Sequence, residues 1–199
     1  MPVTINGDGS ITGLSVGGLP NGTVDADTLA SNCVTSAKLA TKTFISHAII
    51  CDQKAGGTAG GTFTESAWRT RDLNTEITDP DGIVSISSNQ FTLQAGTYFV
   101  KASAPAKKAT NHQAALYNVT DSSFIQYGTN ELAHITYLAA TRSFISARFT
   151  LSGAKALEIR HFSSHTVATD GFGGAFNSSD NTDAGSVSIF TMVEIYKEA

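Results

Sequence analysis

Histidines, carboxylates, thiols and a lone tryptophan are the side chains with which this chain could do chemistry, and their spacing selects no active centre. His161-Phe162-Ser163-Ser164-His165 sets two imidazoles four positions apart. On a helix that spacing makes a metal pair. In an extended strand the same positions lie about 13 Å apart at ~3.3 Å per residue, too far for one metal with ~2 Å bonds to take both. The two are read as ordinary strand-end histidines. Asp79-Pro80-Asp81-Gly82 and Asp180-Asn181-Thr182-Asp183 carry oxygens of the kind calcium prefers. Neither follows the full order of a calcium loop, and Asp and Asn form turns for local reasons. Ala55–Gly61 is glycine-rich but lacks the Lys-Ser/Thr ending of a phosphate loop. No G-x-S-x-G elbow is present, and no spacing selects two of Glu65, Glu76, Glu131 and Glu158 as a glycosidase pair. The expectation is a chain with no catalytic residue, no metal and no cofactor.

Contact residues remain. Trp68, the single tryptophan, sits among small polar residues and reads either as an exposed sugar platform or as a core or interface anchor. Phe172 and Phe176 lie amid glycine and serine, a composition that suits an adaptable contact loop as well as a cap on the end of a barrel. These three are the candidate ligand contacts.

The elements that position such residues are strands. Of the 199 residues, 41% are apolar and only 15% charged, with Gly, Ser, Thr and Asn filling the difference. That mixture suits short strands and tight turns. Tyr98, Val100, Ala102 and Ala104 alternate with Lys101 and Ser103; Ile145, Ala147, Phe149 and Leu151 alternate with Ser146, Arg148 and Thr150. Leu157 and Ile159 oppose Glu158 and Arg160. A period of two over such lengths predicts strands buried on one face. Turn signals at Asp79–Gly82, Gln94–Gly96, Ser152-Gly153 and Thr169–Gly171 separate them, and the spacing predicts an all-β sandwich or barrel.

The last strand departs from simple alternation. Read with strict parity, Val187, Ile189, Val193 and Ile195 line one face, and Phe190, Met192 and Tyr196 the other. A strand apolar on both faces is covered on both. The second cover is expected to be a partner subunit. These residues form the predicted subunit interface.

A seam falls near residue 43. Residues 1–43 hold no aromatic side chain, many glycines, and isolated aliphatics at Ile11, Leu14, Val16 and Leu19. Val24-Asp25-Ala26-Asp27-Thr28-Leu29-Ala30 is echoed ten positions later by Val34-Thr35-Ser36-Ala37-Lys38-Leu39-Ala40. A segment so poor in apolar bulk cannot close a core alone. An extended arm is expected, with Val24, Leu29, Val34 and Leu39 set against neighbouring chains. Residues 44–199 form the body. Cys33 and Cys51 fall on opposite sides of the seam and read as free thiols, in keeping with a reducing cytoplasm. Met1–Asn6 shows neither a basic nor an apolar signal region. No run approaches the ~20 apolar residues of a membrane span. A net charge of −4 argues against nucleic acid as a partner.

The body resembles the C1q/TNF-type jelly roll over about residues 44–199. The resemblance rests on a first strand at Phe44–Asp52, on Phe91-Thr92-Leu93-Gln94-Ala95-Gly96-Thr97-Tyr98-Phe99-Val100, on paired strands Ser143–Leu151 and Lys155–Phe162, and on the apolar last strand. It implies a homotrimer in which Phe44–Cys51 and Val187–Tyr196 face the three-fold axis. The collagen-like stalk of C1q is absent. Residues 1–43, with Ile11-Thr12-Gly13-Leu14, Gly17-Gly18-Leu19-Pro20 and the repeats, are similar to the start of small tailed-bacteriophage virion proteins such as tail fibres, head fibres and decoration proteins. Together the two resemblances imply a trimeric capsid decoration, cement or head-fibre protein on the virion surface. It would be assembled in the host cytoplasm and attached through its arm to virion proteins, foremost the major capsid protein. The alternatives are a tail fibre or receptor-binding tip that recognises host surface glycans, a free C1q-like adhesin, and an envelope-glycan hydrolase.

Overall fold

The structure, a computed structural model, describes Thr4, Ile5, Gly7, Ile11, Thr12 and residues 44–137, 139–175 and 186–199. By its internal contacts the chain divides into two units, Met1–Lys42 and Thr43–Ala199. In the first unit, β1 (Thr4–Ile5) pairs antiparallel with β2 (Ile11–Thr12). The expected arm contacts Leu14, Val16, Leu19, Val24, Leu29, Val34 and Leu39 lie outside the described residues, and for Ile11 only the backbone is described.

The second unit is a sandwich of two antiparallel sheets. Its strands are β3 (Phe44–Ala55), β4 (Arg69–Thr70), β5 (Thr75–Thr78), β6 (Val84–Ser87), β7 (Gln90–Leu93), β8 (Gly96–Lys107), β9 (Thr110–Asn118), β10 (Ser123–Ala133), β11 (Ala140–Leu151), β12 (Lys155–Ser163) and β13 (Val187–Glu198). The first sheet runs β11-β8-β13-β3-β5. The second runs β10-β9-β12-β7-β6, with β4 also on β12. First and last strands are neighbours, as the resemblance implies.

Alternation does what it predicted. Tyr98, Val100, Ala102, Ala104, Ile145 and Ala147 point inward from the first sheet and meet Phe91, Leu93, Ala114, Leu116, Leu157 and Ile159 from the second. Each fully buried Leu, Ile or Phe there contributes roughly 1.5–3 kcal/mol. At one end the core changes character. Ala106 and Ala109 leave room for Phe63 and Phe172, whose rings sit 4.6 Å apart.

The segment Phe91–Val100 is two strands rather than the one the resemblance suggested. β7 belongs to the second sheet and β8 to the first, so the chain crosses between layers at Gln94-Ala95. Gly96 makes this corner at φ +150°, where a side chain is strained, and the buried Tyr98 hydroxyl ties it by donating to Gln94 O at 3.1 Å.

β13 carries the main correction. Its pairing with β3 slips between Ile189 and Met192, so that Phe190 and Thr191 together oppose Asp52. Two residues against one is a β-bulge, and it inverts the parity of everything before it. Phe190, Val193 and Ile195 are 5%, 0% and 0% exposed and belong to the interior. Val187 and Ile189 are 45% and 38% exposed and share the outward face with Met192 and Tyr196. Phe190, Val193 and Ile195 therefore leave the predicted interface set.

One long edge of the sandwich is stapled shut. Gly128 of β10 approaches β11 so closely that a Cβ would lie 2.7 Å from Phe144 O. The Ser143 hydroxyl donates to Thr129 O (2.7 Å) and accepts from Ala114 N–H (2.9 Å), while Phe144 N–H donates to the Thr129 hydroxyl (3.0 Å).

Candidate functional site

The outward face of the first sheet is built in rows, because antiparallel register sets side chains of neighbouring strands side by side. One row is Arg148, Phe99, Tyr196 and His47; the next is Ser146, Lys101, Glu194 and Ile49; the third is Phe144, Ser103 and Met192. Phe44, exposed at the start of β3, extends the first row. Its ring centroid lies 5.1 Å from Tyr196 and 6.3 Å from Phe99. Phe144, Val187 and Ile189 are exposed toward the other end. Two shallow hollows mark the face, about 330 Å³ between Phe144, Met192, Lys101 and Glu194, and about 440 Å³ between Phe44, Tyr196, His47 and Asp81.

The polar groups on this face are mutually engaged. Tyr196 Oη donates to Glu194 Oε2 at 2.8 Å, which with partial burial holds the phenol above its ordinary pKa. The Lys101 ammonium stands 5.9 Å from the Phe99 ring centre, and Arg148 grips Glu198 through both Nε (2.8 Å) and Nη2 (2.6 Å). Nothing here pairs a nucleophile with a base. A flat face with half-buried aromatics and few charges is suited to cover by another protein surface.

Of the residues predicted for an interface, Phe44, Val187, Ile189, Met192 and Tyr196 lie on this face. Phe99 and Phe144 join them and were missed. Each is an aromatic on the polar parity of its strand, beside Lys101 or Ser146, and that misplacement was the available signal.

Trp68 lies elsewhere. Its ring packs on the outward face of the second sheet, with centroids 5.0 Å from Phe124, 5.7 Å from Phe162 and 5.9 Å from Tyr127, so it is no core anchor. Phe172 is withdrawn from the ligand contacts. Its ring is buried, 4.6 Å from Phe63 and with the Arg71 guanidinium 4.0 Å from its centre. Phe176 is outside the described residues.

The interior beneath Phe172 holds a polar cluster that sequence reasoning did not find. Arg71 is fully buried; Nε donates to Thr191 Oγ1 (2.8 Å) and Nη2 to Phe172 O (2.7 Å). The bulge in β13 is what brings Thr191 inward. Burial draws Arg71 down to about 9. His161 is also inside, not at an exposed strand end, and its Nε2 meets His112 Nδ1 at 3.0 Å, while His112 Nε2 meets Thr141 Oγ1 at 2.8 Å. Burial pushes His112 down to about 4, and burial together with Arg71 and His112 drives His161 well below its ordinary value. Cys51 is a buried free thiol whose pKa burial raises, with the Asp52 charge adding to it. Cys33 lies outside the described residues. Both Asp79 oxygens accept backbone N–H bonds, from Ile83 and Val84 at 2.9 Å, so this turn is closed by its own backbone. Among the described residues no three His, Cys, Asp or Glu side chains converge on a metal position. Among them also, no helix is long and apolar enough to cross a membrane.

No protein-family model matches the sequence, and no curated protein matches it either. Solved structures do match in shape. The PRD1 vertex protein P5 superposes with TM-score 0.51 at 12% identity, covering 79% of this chain and 100% of that one. Eiger TNF from S. frugiperda gives 0.50 at 13% identity, covering 79% and 94%. The fold is a jelly roll of the C1q/TNF type. The globular domain of zebrafish complement 1qA protein superposes less closely, with TM-score 0.48 at 10% identity over 76% of this chain and 96% of that domain. Within this jelly roll, the face described above belongs to the sheet that contains both the first and the last strand of the body.

Proposed function

We propose that the chain is a non-enzymatic structural protein of a bacteriophage virion. It is a homotrimeric capsid decoration, cement or head-fibre protein, with residues 44–199 as an outward knob and residues 1–43 as the arm that holds it to the major capsid protein. The observation that carries this reading is the outward face of the first sheet, where Phe44, Phe99, Phe144, Met192 and Tyr196 stand partly or wholly open on a well-packed body. Covering such a face with two further copies removes apolar area from water at roughly 25 cal/mol per Å². A vertex protein built on the same fold supports the virion setting. The aromatic-free composition of residues 1–43 supports an attachment role, because that segment cannot close a core from its own side chains.

Two measurements test the reading. Light scattering of the purified full chain at micromolar concentration is expected to give three times the chain mass, and a stable monomer overturns the trimer. Electron microscopy of the parent particle with a labelled antibody is expected to decorate the capsid. Label confined to the tail rejects the capsid placement.

A further inference from the structure

A second concavity opens on the outward side of the other sheet, where β9, β10 and β12 run together. It encloses about 500 Å³ and is lined by Asn111, Gln113, Asn130, Glu131, Phe162 and Ser164 among others. That volume lies within the ~300–1,000 Å³ of small-molecule sites. Its two walls differ in chemistry.

On one wall Phe162 is the aromatic lining residue, beside Leu132, and the ring cluster continues from it beyond the cleft. Phe162 leans on Trp68 at 5.7 Å, Trp68 on Phe124 at 5.0 Å, and Phe124 stacks on the exposed Tyr127 at 4.9 Å and 26°. The ledge is fixed before any ligand arrives. Ser66, at φ +61°, donates its N–H to Ser163 O (3.0 Å), Glu65 N–H donates to Thr166 Oγ1 (3.0 Å), and the pairing of β4 with β12 follows directly. Rings held in this way lose little freedom on binding.

The other wall is made of hydrogen-bonding groups with capacity to spare. Gln113 Nε2 donates to Gly128 O (2.9 Å), which leaves its carbonyl oxygen to accept. The Asn111 and Asn130 carboxamides are exposed and make no side-chain hydrogen bond among the described residues. Each carboxamide offers two donor hydrogens and an acceptor. No lysine or arginine lines the cleft. The nearby Arg160 is engaged, with its guanidinium 3.3 Å from the Tyr117 ring centre and its Nε bonded to Glu158 (2.6 Å).

We infer that this cleft is a binding site for a neutral saccharide. A pyranose ring presents a flat apolar C–H face to Phe162, and its hydroxyls, each both donor and acceptor, match the carboxamides of Asn111, Gln113 and Asn130. An anionic glycan or a nucleotide finds no lysine or arginine among the described lining residues to offset its charge. Of the strands that line the cleft, β9 and β12 are each paired on both sides. None of the lining residues lies on the first sheet's outward face.

The test uses the purified full chain on an array of neutral oligosaccharides, with sialylated and phosphorylated oligosaccharides as a second arm, followed by calorimetric titration of the strongest neutral hit. Asn111→Ala and Asn130→Ala remove exposed lining groups with little packing. Each is expected to weaken that binding about tenfold or more, as loss of one hydrogen-bonding group does. Melting temperature and oligomeric mass should not move. Binding to no neutral oligosaccharide, or to anionic ones alone, overturns the inference. So does unweakened binding by both variants, or a fall in oligomeric mass in either, which would make this face a subunit contact instead.

Discussion

The two outward sheet faces both carry aromatic rings, and the chain finishes them differently. On the second sheet it supplies its own cover: the Trp68 segment lies over Phe124 and Phe162, and Arg160 caps Tyr117 at 3.3 Å. On the first sheet Phe44, Phe99 and Tyr196 lean on one another, at 5.1 to 6.5 Å, with Lys101 reaching over Phe99 and no covering segment among the described residues. A face sealed from within gains its stability inside one chain. A face left open gains nothing until a second surface arrives. That difference, more than the presence of aromatics, is why the first face is the one proposed to meet another chain.

The comparison can be broken most decisively on the open face. Phe99→Asp combined with Tyr196→Asp would place unpaired charges under any covering subunit, at a cost of about 3–5 kcal/mol for a buried unpaired charge. Light scattering should then report a folded monomer with a lower melting temperature than the trimer, and a double variant that stays trimeric would show the wrong face was chosen. The interior between the faces offers the next largest effect. Burial lowers both His112 and His161, so the unfolded chain takes up protons first as pH falls. The stability this gives is fully present above about pH 6.5 and is lost as pH drops toward the value of about 4 held by His112. The shift of His112 corresponds to about 3 kcal/mol at ~1.4 kcal/mol per pKa unit. Urea midpoints measured across that window should slope downward with acid, and a flat profile would remove the buried pair. On the sealed face, Trp68→Ala should cost about 2 kcal/mol, less than the ~3–5 of a fully buried aromatic, with the mass in solution unchanged. The smallest effect belongs to Lys155→Ala. Its exposed pair with Asp121 lies away from the first sheet's face, and calorimetry should find little or no resolvable change in melting.

Much of the core was legible in sequence. The parity of Tyr98, Val100, Ala102 and Ala104, or of Leu157 and Ile159, is set by neighbours two positions away, and both strands are buried as that parity predicts. What stayed hidden depends on partners far along the chain. His112 meets His161 across 49 positions, and Arg71 meets Thr191 across 120. No local pattern announces either. The bulge at Phe190-Thr191 was hidden for another reason: one extra residue leaves composition untouched while exchanging the two faces of half a strand. Hence the facing expected along β13 held for some residues and failed for others. Phe44, Val187, Ile189, Met192 and Tyr196 stayed outward, while Phe190, Val193 and Ile195 did not. Trp68 left two readings open because its neighbours in sequence are small and polar, whereas its neighbours in space come from β10 and β12.

The stapled seam between β10 and β11 bears on life in a crowd. With Gly128, Thr129 and Ser143 zipping one flank, and only the four-residue strands β5 and β6 ending the sheets on the opposite flank, the body has little spare main chain for a foreign ribbon to dock against. Packed at very high local density, such bodies would be less prone to grow into fibres by edge pairing.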